Sequence, residues 1–524
     1  MNLGKWFATG FVVVSLAVWI VALFETLFTQ YWPPTWQDVS VFLTIFFLSI
    51  LFAFYLLHRI GIFDVFGSKP FGNAKWARPW QLWWHGLTKK GGLFLGQSWG
   101  SDLYHNDEGH ILTIGGAGGG KSTGLVVPAL MELTQGSVIV TDPKGELAAM
   151  TRRHREKIGP VIMLNPFHEV FRSGTGLDYP DTGFNPLSII DPSLSTFKSD
   201  CDELARYLMV TDRKESGSYF SDEGAEFLSL VIAATILDEP ADLHTLPFVY
   251  RRIRDDVDTL KAWFEHVAKQ GHPALADEAT RYLGILEKSP NQWDGIASKA
   301  ALATKRYAPS TPLGEHVSKN GFNLADLKKK TLTIYILVPT GQLATALPWM
   351  NTIMGIFGMA VGRPGPARPV TLLIDEAPAL GYLPDLQNFL ALFRGAGLRV
   401  WIFTQTAAML STDELYGQTG FKAIAGLCSI KQFFSIREKE VAQMVSDLCG
   451  QRSAKNLRQG QGGDSETEVG VPLIRPEKVR GLRKWQQIIV IDAMADPIKG
   501  WLVPYFKRHK WRRMTDPNPY RRKK

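Results

Sequence analysis

Cysteine is scarce in this chain: Cys201, Cys428 and Cys449 are the only three in 524 residues. None forms a Cys-x-x-Cys pair or stands at Cys/His ligand spacing, which excludes a zinc framework and a disulfide scaffold and leaves three buried thiols in a reducing compartment. Disordered composition is missing as well. With 45% hydrophobic and 21% charged residues, the chain has enough apolar sequence for two or three folded domains. A net negative charge is also absent. The formal charge of +8 suits a partner bearing phosphates and equally suits the Lys/Arg flanks of a membrane protein, so composition leaves both open.

Lys and Arg do not occur between Glu25 and Asp38. This cation-free stretch separates two apolar runs, Phe7 to Phe24 and Val39 to Leu57, each long enough to cross roughly 30 Å of hydrocarbon as a helix. No small-residue cleavage site ends the first run and the second follows at once, so residues 1–68 are expected to form a two-helix transmembrane hairpin with its membrane-proximal segment, not a signal peptide. Lys5 precedes the first run, and Arg59, Lys69, Lys75 and Arg78 follow the second, which places both ends of the hairpin in the cytoplasm. Trp32 and Trp36 fit the far interface. Trp76, Trp80, Trp83 and Trp84 fit either a segment lying at the near interface or core aromatics.

Beyond the membrane end, a β-like run from His110 to Ile114 leads into Gly115, Gly116, Ala117, Gly118, Gly119, Gly120, Lys121, Ser122 and Thr123, and then into a helical stretch reaching Leu133. Strand, glycine-rich loop and helix in this order form a phosphate-binding loop. Glycines let successive N–H groups converge on phosphate without a clashing Cβ, and the helix start adds its positive dipole end. Lys121 is expected on the β- and γ-phosphates of ATP, and Ser122 on Mg2+.

A second apolar run, Val370 to Ile374, ends in Asp375 and Glu376. Beside a phosphate loop this is the form of a Walker B strand, with Asp375 orienting the Mg2+ shell and Glu376 polarising the attacking water. It is expected to lie next to the phosphate-loop strand. A third run, Leu398 to Phe403, carries Thr404, Gln405 and Thr406 at its end, and Gln405 is placed to sense the γ-phosphate. Asp142, Lys144 and Glu146 follow another strand, Ser137 to Thr141; they border the nucleotide or merely start a helix, and the residues do not separate the two.

β-like runs are absent from about residue 188 to 312, where helical periodicity prevails, and they resume at Thr331 to Val338. The sequence is therefore read as α/β, with a nucleotide-binding domain in two parts, 69–187 and 313–524, around an all-α insertion, 188–312. Lys455 to Gly470 has little to bury and is expected to be a mobile loop. A strand, Trp485 to Ile491, follows. Lys507 to Lys524 is strongly basic, with Trp511 and Tyr520 interleaved, and reads as a grip on nucleic-acid phosphate or anionic lipid, or as a solvated tail.

In order, these features resemble the type IV coupling proteins, the VirD/TraG class of conjugation and type IV secretion systems. The likeness spans nearly the whole chain: the hairpin, Gly72-Asn73-Ala74-Lys75-Trp76, the phosphate loop, Asp142 to Glu146, Phe184-Asn185-Pro186-Leu187, Leu373 to Glu376, Gly397-Leu398-Arg399 with Gln405, and Val471 to Ile474. The resemblance implies a RecA-like P-loop ATPase domain, assembled as a homo-hexamer in the bacterial inner membrane, with each ATP site completed by a neighbour. It implies single-stranded DNA and a relaxase, or protein effectors, as cargo, and the secretion channel as partner. Arg394 stands where members carry an arginine before the Gln-bearing strand, and is a candidate for the inter-subunit site; local sheet packing or a DNA contact is equally open. Gly118 and Gly119 depart from the polar pair common in the class, and the long acidic tail of some members is missing. The function expected is a coupling ATPase driving DNA transfer, with protein-only transport and a nucleotide-binding scaffold as alternatives.

Overall fold

The computed structural model describes residues 71–209, 219–270, 272–365, 368–460 and 463–520, besides Ser40, Thr44, Phe47 and Leu48. The hairpin expected over 1–68 otherwise lies outside the described residues. The chain divides into two compact units, one of Met1–Ala74 with Gly450–Leu473 and the other of Lys75–Cys449 with Ile474–Lys524.

The second unit is built on an eleven-stranded sheet. In chain order its strands are β1 (Leu93–Ser98), β2 (Ser101–His105), β3 (Ile111–Gly115), β4 (Ser137–Asp142), β5 (Val161–Leu164), β6 (Thr333–Leu337), β7 (Val370–Ile374), β8 (Leu398–Thr404), β9 (Ile430–Phe434), β12 (Gln486–Ile491) and β13 (Ile498–Trp501); β10 (Gln451–Gly460) and β11 (Gly463–Pro472) form a separate pair. Across the sheet they run β2-β1-β13-β12-β9-β3-β8-β7-β4-β6-β5. From β9 to β5 every pairing is parallel, and from β9 outward to β2 every pairing is antiparallel. All residues of β3, β6, β7 and β8 are buried. That is why these strands are mainly apolar, without polar alternation: helices cover both faces of a parallel sheet, so no face is left to solvent.

One helix among the described residues, within Thr340–Gly362, is long and apolar enough to span a membrane. Here its Trp349, Ile353 and Ile356 are fully buried, and it is a core helix that connects β6 to β7 along the chain.

No strand lies between β5 and β6 among the described residues. Five longer helices fill that stretch: Phe197–Met209, Tyr219–Asp238, Val257–Gln270, Pro273–Lys288 and Pro290–Thr304. Phe227, Phe264, Tyr282 and Trp293 meet at their centre, with Phe227 edge-on to Trp293 at 5.0 Å. Edge-to-face aromatics supply large apolar area with defined geometry, which suits a helical core that lacks a sheet to pack on. Where the chain returns to β6, Asp181 meets the His316 ring nitrogen Nδ1 at 2.9 Å, and Phe184 bridges Asn320.

Three readings of the sequence differ from the structure. The stretch expected as a mobile loop, Lys455 to Gly470, falls on β10 and β11, which pair antiparallel without a register shift from Gln451↔Pro472 to Gly460↔Gly463. Its polar composition concealed it, because backbone pairing satisfies a hairpin even where no apolar face marks the strands. The basic end is not a free tail as far as Tyr520. Trp511 is fully buried, with its indole N–H donating to Glu132 at 2.6 Å, and Arg508 is paired with Asp102. Finally, β8 stands between β3 and β7, so the strand ending in Asp375 and Glu376 is one place removed from the phosphate-loop strand.

Of the membrane-proximal tryptophans, Trp83 (69% exposed) and Trp84 (50% exposed) are surface residues on the short helix Pro79–Trp84. They are not core aromatics.

Candidate functional site

Because β3, β4, β7 and β8 are parallel, their carboxyl ends open on one edge of the sheet, where open α/β sheets place their ligands. Residues 116–123 follow β3, Pro143 to Glu146 follow β4, Asp375 and Glu376 follow β7, and Gln405 follows β8. All of these segments line one cavity of about 780 Å³. Gly118 (φ +72) and Gly120 (φ +96) take left-handed backbone conformations that a side chain disfavours, which accounts for glycine at two positions of the loop.

Three side chains converge within the cavity. The Lys121 ammonium donates to Glu376 Oε2 at 2.8 Å and to the Asp375 carbonyl at 3.0 Å, and the Gln405 amide donates to the same Glu376 oxygen at 3.1 Å. The intervening β8 sets Lys121 and Glu376 about 10 Å apart at the level of their strands, a gap that two long side chains close over the end of β8.

The same edge is short of hydrogen-bond donors. Asp142 Oδ1, Asp375 Oδ1 and Glu376 Oε1 are buried without a hydrogen-bond partner. Burial raises the Asp375 carboxyl to about 6, with Lys121 opposing the rise and Glu146 and Glu376 adding to it. Burial raises Asp142 to about 8, against the pull of the Ala148 amide that donates to its Oδ2 at 2.8 Å. Unpaired carboxylate oxygens beside a lysine suit a hard cation that brings its own ligands. Among the described residues no cluster of three or more His, Cys, Asp or Glu could hold a metal by itself. The fit is therefore to Mg2+ carried on phosphates, since such an ion commonly takes one or two protein ligands and completes its shell with phosphate and water.

Arg394 is not at this edge. It is exposed and precedes β8, at the opposite end of that strand from Gln405. Its charge is felt instead by His105 and His110, which burial holds down at about 4, with Arg399 also acting on His105 and Arg394 assisting at both. His110 is a structural joint: one ring nitrogen accepts from Val400 N at 3.0 Å while the other lies 3.0 Å from the Leu390 carbonyl, which fixes the tautomer.

The sequence reading missed a whole wall of the cavity. Lys484, Trp485, Phe506, Asn518 and Tyr520 line it from the C-terminal segments. The Asn518 amide donates to Glu146 at 2.9 Å and the Tyr520 hydroxyl donates to the Lys144 carbonyl at 2.7 Å. Single polar and aromatic residues in turns carry no periodic signal, and only the folding back of the chain brings them here.

A family model described as "Type IV secretory system Conjugative DNA transfer" matches residues 75–523. The type IV secretion system-coupling protein VirD4 of Bartonella quintana is 23% identical over 76% of this chain and 63% of its own length. The conjugal transfer protein TraG of Escherichia coli is 26% identical over 72% of this chain and 62% of its own length. The chain thus spans less than two thirds of these curated relatives. Among solved structures, the bacterial conjugative coupling protein TrwBdeltaN70 in its unbound form covers 84% of this chain and 96% of its own, with a TM-score of 0.61 and 16% identity. The plasmid coupling protein TrwB in complex with ADP and Mg2+ has the same coverage, with a TM-score of 0.59 and 17% identity. At such identity the likeness is one of fold.

Proposed function

The chain belongs to the type IV secretory family for conjugative DNA transfer, and from that premise we propose that it is an inner-membrane coupling ATPase, a RecA-like motor with an inserted helical domain that drives single-stranded DNA with its relaxase into a type IV secretion channel. The observation that carries the ATPase reading is the meeting of Lys121, Glu376 and Gln405 at one oxygen on the edge where the phosphate loop lies. In this reading the loop's N–H groups and Lys121 take the phosphates of ATP. Lys121 then leaves Glu376, whose freed carboxylate polarises the attacking water while Gln405 holds the γ-phosphate end. Ser122 and Asp375 would hold Mg2+, which would supply charge neutralisation at the phosphates.

Arg394 is too far from the cavity of its own chain to serve it. Its exposure beyond the far end of β8 suits a contact with an adjacent subunit, and a hexameric ring would bring such an arginine to a neighbouring site. The TrwB structure with ADP and Mg2+ supports nucleotide and metal as ligands of this fold. The apolar runs Phe7 to Phe24 and Val39 to Leu57 support a multi-pass anchor with the motor in the cytoplasm.

The test is ATP hydrolysis by the full-length chain in lipid nanodiscs, with and without single-stranded DNA, at two salt concentrations. Turnover stimulated by DNA and suppressed by salt is the expected result, because phosphate contacts release counterions and weaken as salt rises. Turnover indifferent to DNA assigns protein effectors as the cargo. No turnover in assembled rings replaces the motor with a nucleotide-binding scaffold.

A further inference from the structure

The cavity has two ends, set by the order of the sheet. Glu376 follows β7, two strands from β3 on one side, and Trp485 precedes β12, two strands from β3 on the other. Since β12 runs antiparallel to β9, its first residue comes to the same edge as the phosphate loop. Lys121 turns its ammonium towards the β7 side. The β12 side has no carboxylate lining the cavity; it has the Trp485 indole, which presses on the loop so closely that a Cβ on Gly120 would run into the ring, and a Cβ on Gly124 would come within 3.5 Å of it.

Trp485 is also held in an unfavourable way. Its φ of +70° lies in the left-handed region, where a bulky side chain is strained, and few non-glycine residues of the described chain share it. The Leu502 amide fixes the backbone there by donating to the Trp485 carbonyl at 2.7 Å. Lys484 places its ammonium 5.5 Å from the indole centre, and Phe506 meets the ring nearly edge-on at 6.4 Å. Strain spent on aiming one indole at the cavity, with a cation and a second ring around it, makes a flat, electron-rich platform. Such a platform receives a planar heterocycle by stacking, without reading its hydrogen-bonding edge.

We propose that Trp485, with Lys484 and Phe506, is the subsite for the base of the bound nucleotide, and that it supplies affinity for a nucleoside over bare phosphates. This rests on the nucleotide reading of the cavity and goes beyond it by assigning the end away from the reacting phosphate. Because stacking is indifferent to the base edge, ATP and GTP bind with similar affinity.

The experiment compares ATP with inorganic tripolyphosphate, each with Mg2+, in binding to the full-length chain in nanodiscs by calorimetry. The parent should bind ATP more tightly than tripolyphosphate. Trp485→Ala should weaken ATP about tenfold and leave tripolyphosphate within about twofold, and Trp485→Phe should restore most of the loss. Equal weakening of both ligands overturns the proposal, because the ring then only shapes the loop; so does a Trp485→Ala variant that binds ATP like the parent. Should the parent bind neither compound, the nucleotide reading itself falls, whereas a parent that binds both equally well removes only the subsite.

Discussion

Asp181, which meets His316 at the return from the helical stretch, and Asp142, beside the cavity, both have buried side chains, and the chain treats them oppositely. Burial pushes Asp181 upwards, yet hydrogen bonds and charge from His316, the Asn165 amide and the Lys319 ammonium hold it below the ordinary 3.8. Asp142 has the Ala148 amide as partner for one oxygen and lies near Asp375 and Glu146, so burial prevails and the carboxyl rises to about 8. The difference teaches where the fold is complete without help. Around Asp181 the chain supplies the compensating groups itself; around Asp142 and Asp375 it leaves oxygens unpaired, as a site arranged for an incoming cation would.

The sharpest way to break this contrast is at the cavity. Lys121→Ala should lower ATP turnover about a thousandfold in a phosphate-release assay, because it removes the cation expected on the transferred phosphate. Glu376→Gln should lower turnover about a hundredfold with nucleotide binding retained; a variant that hydrolyses at the parental rate refutes the water-polarising role. Asp181→Ala should do the reverse. Loss of one member of a buried pair costs about 3 kcal/mol of stability, seen as an earlier urea transition, and nucleotide affinity should hold. A normal transition with lost turnover would place Asp181 in the working site and end the comparison.

The smallest effect concerns pH. The folded state keeps a proton on Asp142 between about 4 and about 8, where the unfolded chain has released it, so the contribution of this group to stability falls as pH rises through that window and is level above it. Asp181 has the opposite sign: its contribution is present above 3.8 and is lost as pH falls through its lower folded value. Asp142→Asn should therefore flatten the decline in unfolding midpoint from pH 5 to 8. Parallel curves for parent and variant would show that Asp142 is ionised in the fold.

Much of the cavity was legible because the groups that meet at Glu376 follow mainly apolar runs: Lys121 comes after the glycine loop that leaves β3, Glu376 after β7 and Gln405 after β8. Burial on both faces makes β3, β7 and β8 readable as strands, and a strand end fixes which edge its next residue occupies. The order of those strands was not legible: nothing local to Val370–Ile374 says that β8 intervenes before β3. Trp485 was invisible for a related reason: it was read as the first residue of the strand Trp485 to Ile491, whereas β12 begins at Gln486 and its antiparallel return brings Trp485 to the loop. The β10–β11 hairpin failed differently, being specified by backbone pairing with little to bury. Arg394 entered only by resemblance, and the fold places it at the far end of β8.

The position of β3 bears on how the protein is made. Its neighbours in the sheet, β8 and β9, arrive from the other half of the chain, and the Thr113 hydroxyl donates to Gln432 across a separation of 319 residues. At a bacterial pace of about 5–20 residues per second, the phosphate loop leaves the ribosome roughly 15–60 s before the strands that seat it. A nascent chain stalled before β9 therefore carries the glycine loop without its cradle, and competence to bind nucleotide is acquired only once β9 has emerged.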